Sequence, residues 1–221
     1  MPPKTSDAAR STRAYVVELL RDAIIEGRLA PGSRLGQDQL RAEFSASAAP
    51  VREALRELES EGLVTHYPNR GSFVAEIDPD EFREVLLPIR LHLERHAAHK
   101  VLADPPAGLW DDLDEIVTGM RGAADRGDLR AITEADVRFH RTLVEAAHSA
   151  HTARIWAGIE SRVRMQFNRL GRPERRLSAI ADEHRSLLDQ LRGGDRESID
   201  AELEAHIVTA AERLLSDAET S

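Results

Sequence analysis

Ser45-Ala46-Ser47-Ala48-Ala49-Pro50-Val51-Arg52-Glu53-Ala54-Leu55-Arg56-Glu57-Leu58-Glu59-Ser60-Glu61-Gly62-Leu63-Val64-Thr65-His66-Tyr67-Pro68-Asn69-Arg70-Gly71-Ser72-Phe73-Val74-Ala75 reads as a break, a helix and a hairpin in succession. Ser47 has the side chain of an N-cap, because its hydroxyl can accept hydrogen bonds from the free amides of a helix start. Pro50 suits the first turn, where a missing N–H costs nothing. The spacing predicts a helix from Ala48 to Glu61, stopped by Gly62. Leu63 to Tyr67 and Ser72 to Ala75 then read as short strands around the turn Pro68-Asn69-Arg70-Gly71.

Upstream, Gln37 to Phe44 predicts a shorter helix, and Ala30-Pro31-Gly32-Ser33 a turn with proline and glycine where each is favoured. Before it, Tyr15, Leu19, Leu20, Ile24 and Ile25 recur at helical spacing between Thr12 and Glu26, and Gly27 closes the segment. Helix, helix, helix, hairpin is the outline of a winged helix-turn-helix. In that motif the second helix of the pair enters the major groove and presents its first residues to the base edges. The candidates for DNA contact are therefore Ser47, Ala48, Ala49, Arg52 and Arg56, with Arg70 and Gly71 in the hairpin turn. Arg52 is the foremost, since a guanidinium can span two acceptors on guanine or clamp a phosphate, whereas Ala48 and Ala49 offer only apolar contact with a thymine methyl. Arg52 and Arg56 equally suit a solvated helix face.

Asp78-Pro79 opens a different regime, a capping residue followed by proline at the first helical position, with no strand-like run after it. Residues 1–77 and 78–221 are accordingly expected to be separate domains. In the second, helical segments are predicted at about 80–103, 107–125, 128–148, 151–170, 173–192 and 195–217. Short breaks at Asp104-Pro105-Pro106, Arg126-Gly127, His148-Ser149, Gly171-Arg172-Pro173 and Gly193-Gly194 make neighbours antiparallel. The expected architecture is mainly α: an N-terminal winged helix-turn-helix and a C-terminal antiparallel six-helix bundle.

A formal charge of −9 at first argues against a nucleic-acid partner, but residues 1–77 carry 10 basic and 11 acidic side chains, and the acidic excess lies downstream. The absence of cysteine excludes disulfides and thiolate metal sites, so any metal must be held by His, Asp or Glu. No apolar run approaches the roughly 18 residues of a membrane span, and the polar start of the chain lacks the apolar core of a signal peptide. The expectation is a cytoplasmic protein with no membrane partner.

In the segment 128–148, Asp136 and His140 lie one turn apart on one helix face. His184 and His206 follow on the last two segments, each beside an apolar stripe, so three imidazoles and a carboxylate can close around a divalent ion. Such a donor set suits zinc, nickel, cobalt or manganese. Each histidine read singly is equally a hydrogen-bonded core residue. Arg90 falls among Leu86, Ile89 and Leu93, where a cation requires an anion to meet it, either a ligand carboxylate or Glu94 one turn on. Arg162 and Arg164 are further candidates for the same cavity. His92, His96 and His99 lie off the apolar face and read as a solvated surface or a subunit contact.

Residues 25–35, 50–64 and 68–74, in order and spacing, resemble the GntR family of bacterial transcription regulators. Asp136 to Leu143 with His184 and His206 resembles the ligand-sensing FCD domain of its FadR branch, in the six-helix, VanR-like version. The resemblance implies a DNA-binding transcription regulator and not an enzyme, acting as a homodimer on double-stranded operator DNA, with repression as the expected mode. It implies that Asp136, His140, His184 and His206 bind a divalent transition metal, that a small organic acid effector completes its shell, and that Arg90 contacts the effector carboxylate. It also implies DNA contacts at positions 38 and 48, where many members carry Arg and this chain has Asp38 and Ala48. Arg52 is then expected to carry more of the readout, with Gly71 at the wing tip near the minor groove. Two other readings use the same residues: a regulator with a purely structural metal, and a helical-bundle metalloenzyme, for which no separate general base or nucleophile is evident.

Overall fold

The computed structural model describes residues 5–76, 78–170 and 177–219. Contacts divide the chain into two compact units, Met1–Ile77 and Asp78–Ser221.

The first unit comprises α1 (Thr5–Ile25), β1 (Arg34–Leu35), α2 (Gln37–Glu43), α3 (Ala48–Ser60), β2 (Val64–Tyr67) and β3 (Gly71–Val74). α1 and α2 pack on α3, and α3 on β2. Val16, Val17, Leu20, Ile24, Leu40, Val51, Leu55, Leu58 and Leu63 are buried between them. Each such side chain contributes roughly 1.5–3 kcal/mol over an exposed one, which orients α3 with Arg52 and Arg56 outward. Two expectations are corrected here. Tyr15 is 59% exposed, because the inward stripe of α1 runs through Val16, Leu20 and Ala23, one position further along. α1 also begins at Thr5 and not Thr12, since the polar residues before the apolar pattern contain no breaker.

The antiparallel sheet has the order β1-β3-β2, with Arg34 opposite Phe73 and Val64 opposite Val74. β1 went unforeseen, as two residues carry no period. The turn before it closes through a hydrogen bond from Ser33 N to the Ala30 carbonyl at 3.0 Å. Gly32 adopts φ 73° there, and a Cβ in its place would meet Glu76 Oε1 at 2.6 Å. Ser47 is the N-cap of α3 by position, but its hydroxyl makes no capping bond and is left exposed.

The described residues of the second unit form a bundle of six helical rods. The first begins at Asp78, whose side chain accepts from Asp80 N at 2.8 Å, with Pro79 in the first turn. It runs through α4 (Pro79–Glu81), a π-helical turn at Phe82–Leu86 and α5 (Leu87–Ala103). Pro88 has no N–H to return to Glu84, so the ladder widens there and Leu87 N bonds to the Phe82 carbonyl. α6 (Leu109–Asp125), α7 (Leu129–Ala146), α8 (Ala150–Leu170) and α9 (Leu177–Gly193) follow. The expected start of the fifth segment, residues 173–176, lies outside the described residues. The last rod is α10 (Arg196–Glu204), a second π-helical turn at Ala205–Thr209, and α11 (Ala210–Glu219). Asp195 and Ser198 form a reciprocal capping box at its start. α7 packs against α5, α6, α8 and α9, which makes its inward face the centre of the bundle. Among the described residues no helix is long and apolar enough to cross a membrane.

Candidate metal centre and nucleic-acid interface

The central position of α7 turns Asp136 and His140 into the bundle, where α9 brings His184 and the π-helical turn before α11 brings His206. One donor atom from each lies within 4.8 Å of the others. His184 Nε2 stands 3.1 Å from Asp136 Oδ1, and His140 Nε2 stands 3.1 Å from His206 Nε2. All three histidines are buried and Asp136 nearly so. A π-turn admits one extra residue into the helix and re-aims the side chains that follow, a feature frequent at functional sites.

The ring nitrogens are assigned by their partners. His140 Nδ1 donates to Glu94 Oε2 at 2.6 Å, because a carboxylate only accepts, and this leaves the Nε2 lone pair turned inward. His184 Nδ1 donates to the Ile180 carbonyl at 2.8 Å, with the same result. His184 Nε2 then faces the Asp136 carboxylate at 3.1 Å without a hydrogen bond to it. A buried nitrogen–carboxylate contact of this kind requires a cation between the two atoms, a proton or a metal ion. His206 Nδ1 is likewise buried without a partner.

Glu94, unexposed, also accepts from Arg90 Nε at 2.8 Å and Trp156 Nε1 at 3.1 Å. Burial works to raise its carboxyl, but the His140 ring and the Arg90 guanidinium outweigh that and hold it at about 2. Burial lowers the His140 imidazole despite Glu94, and lowers His206 well below the ordinary histidine value, with the other two rings adding to the effect. At Asp136 burial is overridden by the adjacent His184 and His140 rings, which keep the carboxyl ionised. Neutral rings at His140 and His206 beside an ionised carboxylate are the protonation states of metal ligands. The donor set fits a borderline divalent ion such as zinc, nickel, cobalt or manganese.

Asp136, His184 and His206 form part of the wall of a cavity of about 320 Å³. Arg90 is 1% exposed and makes the internal ion pair with Glu94, yet its Nη1 has no partner. Its guanidinium carbon lies 5.4 Å from the centre of the Phe167 ring, which lines the cavity. Arg162 is half-buried on α8 and is not in the cavity wall, because that helix turns Val163, Gln166 and Phe167 inward. Arg164 pairs with Glu134 at 3.2 Å. Among the described residues the arginine that lines the cavity is Arg213 on α11, which sequence reasoning missed. His92 and His96 are exposed, and His99 bonds to Asp200 at 2.8 Å, so this stripe joins no metal-type cluster among the described residues.

On the winged head, Arg52, Arg56, Ser47 and Ala49 are exposed at the front of α3, with Ala48 half-buried. Asp38 pairs with Arg41 on α2 at 3.1 Å. In the wing, Asn69 and Gly71 adopt φ 63° and 98°. The Arg70 guanidinium lies 5.2 Å from the centre of the Tyr67 ring and 5.6 Å from that of Phe73, so two aromatic rings hold it at the tip. Arg34, exposed on β1, was also missed: a Cβ at Gly71 would lie 3.8 Å from its Nε.

A winged helix-turn-helix followed by a helical bundle with a buried imidazole–carboxylate cluster defines a two-domain DNA-binding regulator. Residues 12–74 match the gntR family of bacterial regulatory proteins and residues 85–209 match the FCD domain, and the chain belongs to this GntR family of FCD-type transcriptional regulators. It is 30% identical over 202 residues to a probable D-xylose utilization operon transcriptional repressor of Paenarthrobacter nicotinovorans, covering 90% of this chain and 88% of that one. It is 28% identical to the gluconate operon transcriptional repressor of Bacillus subtilis, over 84% of this chain and 78% of that one. The crystal structure of a GntR regulator from Rhodococcus sp. RHA1 superposes with a TM-score of 0.79 at 26% identity, covering 93% of this chain and 98% of the other. These relatives are transcriptional regulators and not enzymes.

Proposed function

We propose that the protein is a homodimeric repressor whose hold on operator DNA is set by a small carboxylate bound at a metal ion in the helical domain. The observation that carries the metal is the convergence of four donor atoms within 4.8 Å of one another in the bundle interior, with His184 Nε2 buried 3.1 Å from Asp136 Oδ1. Asp136, His140, His184 and His206 would hold the ion, and its chemistry there is to supply open positions to a carboxylate. Glu94 and the Ile180 carbonyl fix the two ring orientations, and Trp156 and Arg90 fix Glu94. The unpartnered Nη1 of Arg90 remains to meet the effector's anionic end. A purely structural ion would have no need of the adjoining cavity, which favours sensing over stapling. Repression is supported by the operon repressors among the relatives.

On the DNA side, Arg52 and Arg56 with Ser47, Ala48 and Ala49 would enter the major groove, and Arg70 and Gly71 would approach the minor groove beside them. Two heads in a dimer would read half-sites about one helical turn apart. To empty an operator, the effector must favour the released state by several kcal/mol.

Operator binding by metal-loaded full-length protein, titrated with acetate, benzoate, octanoate and gluconate, tests this reading. At least one acid is expected to weaken binding more than tenfold, and chelation of the metal is expected to abolish that response. An undiminished response after chelation, or none to any acid, would contradict it.

A further inference from the structure

We infer that the effector is a monocarboxylate with a compact apolar body and not a polyhydroxylated or dicarboxylic acid. This rests on the reading of Asp136 and the three histidines as the anchor of the carboxylate. Away from that anchor, the described wall of the cavity is built from Leu129, Ile132, Phe167, Ala179, Ile180 and Ala210. Its remaining polar members among the described residues are Thr133, Glu183 and Arg213.

Three polar side chains against six apolar ones offer few partners to a row of hydroxyls. The Thr133 hydroxyl has its one proton committed, 2.9 Å from the Leu129 carbonyl and 2.8 Å from Asn168 Oδ1, and can only accept from a ligand. Arg213 is exposed to solvent, and Glu183, a further acid in the wall, disfavours a second carboxylate on the ligand. A hydroxyl carried into such a wall without a partner loses about tenfold in affinity. A sugar acid would bring several of them. Apolar groups, by contrast, gain from displacing water along the aliphatic side chains and the Phe167 ring.

Size narrows the class further. At about 320 Å³ the cavity is near the lower end of small-molecule sites. That is the scale of an aromatic or medium-chain aliphatic acid.

Calorimetric titration of the metal-loaded full chain with benzoate, octanoate and gluconate tests the inference, with bound metal quantified on the same samples. Benzoate or octanoate is expected to bind at least tenfold more tightly than gluconate, only while metal is present. Ile132→Thr is expected to weaken that apolar acid about threefold to tenfold with metal content unchanged, as an ethyl group gives way to a hydroxyl in the wall. Gluconate binding as tightly or more tightly, in a metal-dependent way, would overturn the inference and leave the anchor standing. Binding indifferent to chelation, or no binding by any acid, would remove the anchor and the inference together.

Discussion

Replacing His184 and His206 together by alanine is expected to leave a protein with no bound transition metal and no chelator-sensitive stability. An ion that binds only the folded bundle, at about 1,000 times its dissociation constant, would stabilise the parent chain by about 4 kcal/mol. For a chain of this size 1 kcal/mol moves the melting temperature by about 2–4 °C, so chelation should lower the parent's midpoint by on the order of 10 °C. The double variant should melt at the same temperature with and without chelator. Trp110 and Trp156, the two tryptophans of the chain, lie in the helical unit, so their fluorescence follows its unfolding and not that of the winged head. Trp156 donates to Glu94 directly behind His140 and reports on the site itself. Stoichiometric metal retained by the double variant would sink the assignment of these ligands.

The second large effect is expected at the opposite end of the chain. Arg52→Ala should reduce operator affinity by roughly 10- to 100-fold at fixed salt, because a bidentate arginine–guanine contact is worth about 1–3 kcal/mol. Discrimination should relax at one base pair of each half-site. The side chain is exposed on α3, whose burial face is formed by Val51, Ala54, Leu55 and Leu58, so the loss is not expected to come with a loss of stability. Should binding instead weaken equally on all sequences, with a salt slope lower by about one, Arg52 holds a phosphate. Unchanged affinity and specificity would remove Arg52 from the interface, and the readout would pass to Arg56 and the wing.

The parts of this molecule that were legible in its sequence are those whose signal is local. Gly62 after an apolar-periodic run, the turn at residues 68–71 and the Asp78-Pro79 cap each specify backbone geometry within a few residues, and the elements around them appear close to where they were expected. The i, i+4 pair Asp136 and His140 was readable for the same reason. The stripes beside His184 and His206 pointed both rings inward, and the bundle brings them to the pair.

What could not be read depends on contacts remote in sequence or on polar groups buried against the usual pattern. The interior face of α5 carries Arg90 and Glu94 among its buried residues, so apolar periodicity gives little indication of which side faces in. Glu94 was legible only as a partner for Arg90; its grip on His140, 46 residues away, exists only in the folded bundle. Arg162 and Arg213 show the same limit from the other side. Both are arginines on amphipathic helices, and one residue of rotation about α8 separates the inward Val163 from Arg162, a margin that hydrophobic spacing does not resolve. The π-helical turn at Ala205–Thr209, which sets the direction of His206, has no signature in residue type.

The central claim is that one divalent ion is held by Asp136, His140, His184 and His206, and X-ray absorption at the metal edge of the purified protein tests it most directly. The account predicts one ion per chain, with three imidazole nitrogens at about 2.0–2.1 Å, a carboxylate oxygen at similar distance, and a further oxygen donor appearing when a binding acid is added. A protein purified without metal that takes up none, or an ion whose shell contains no imidazole, would contradict it.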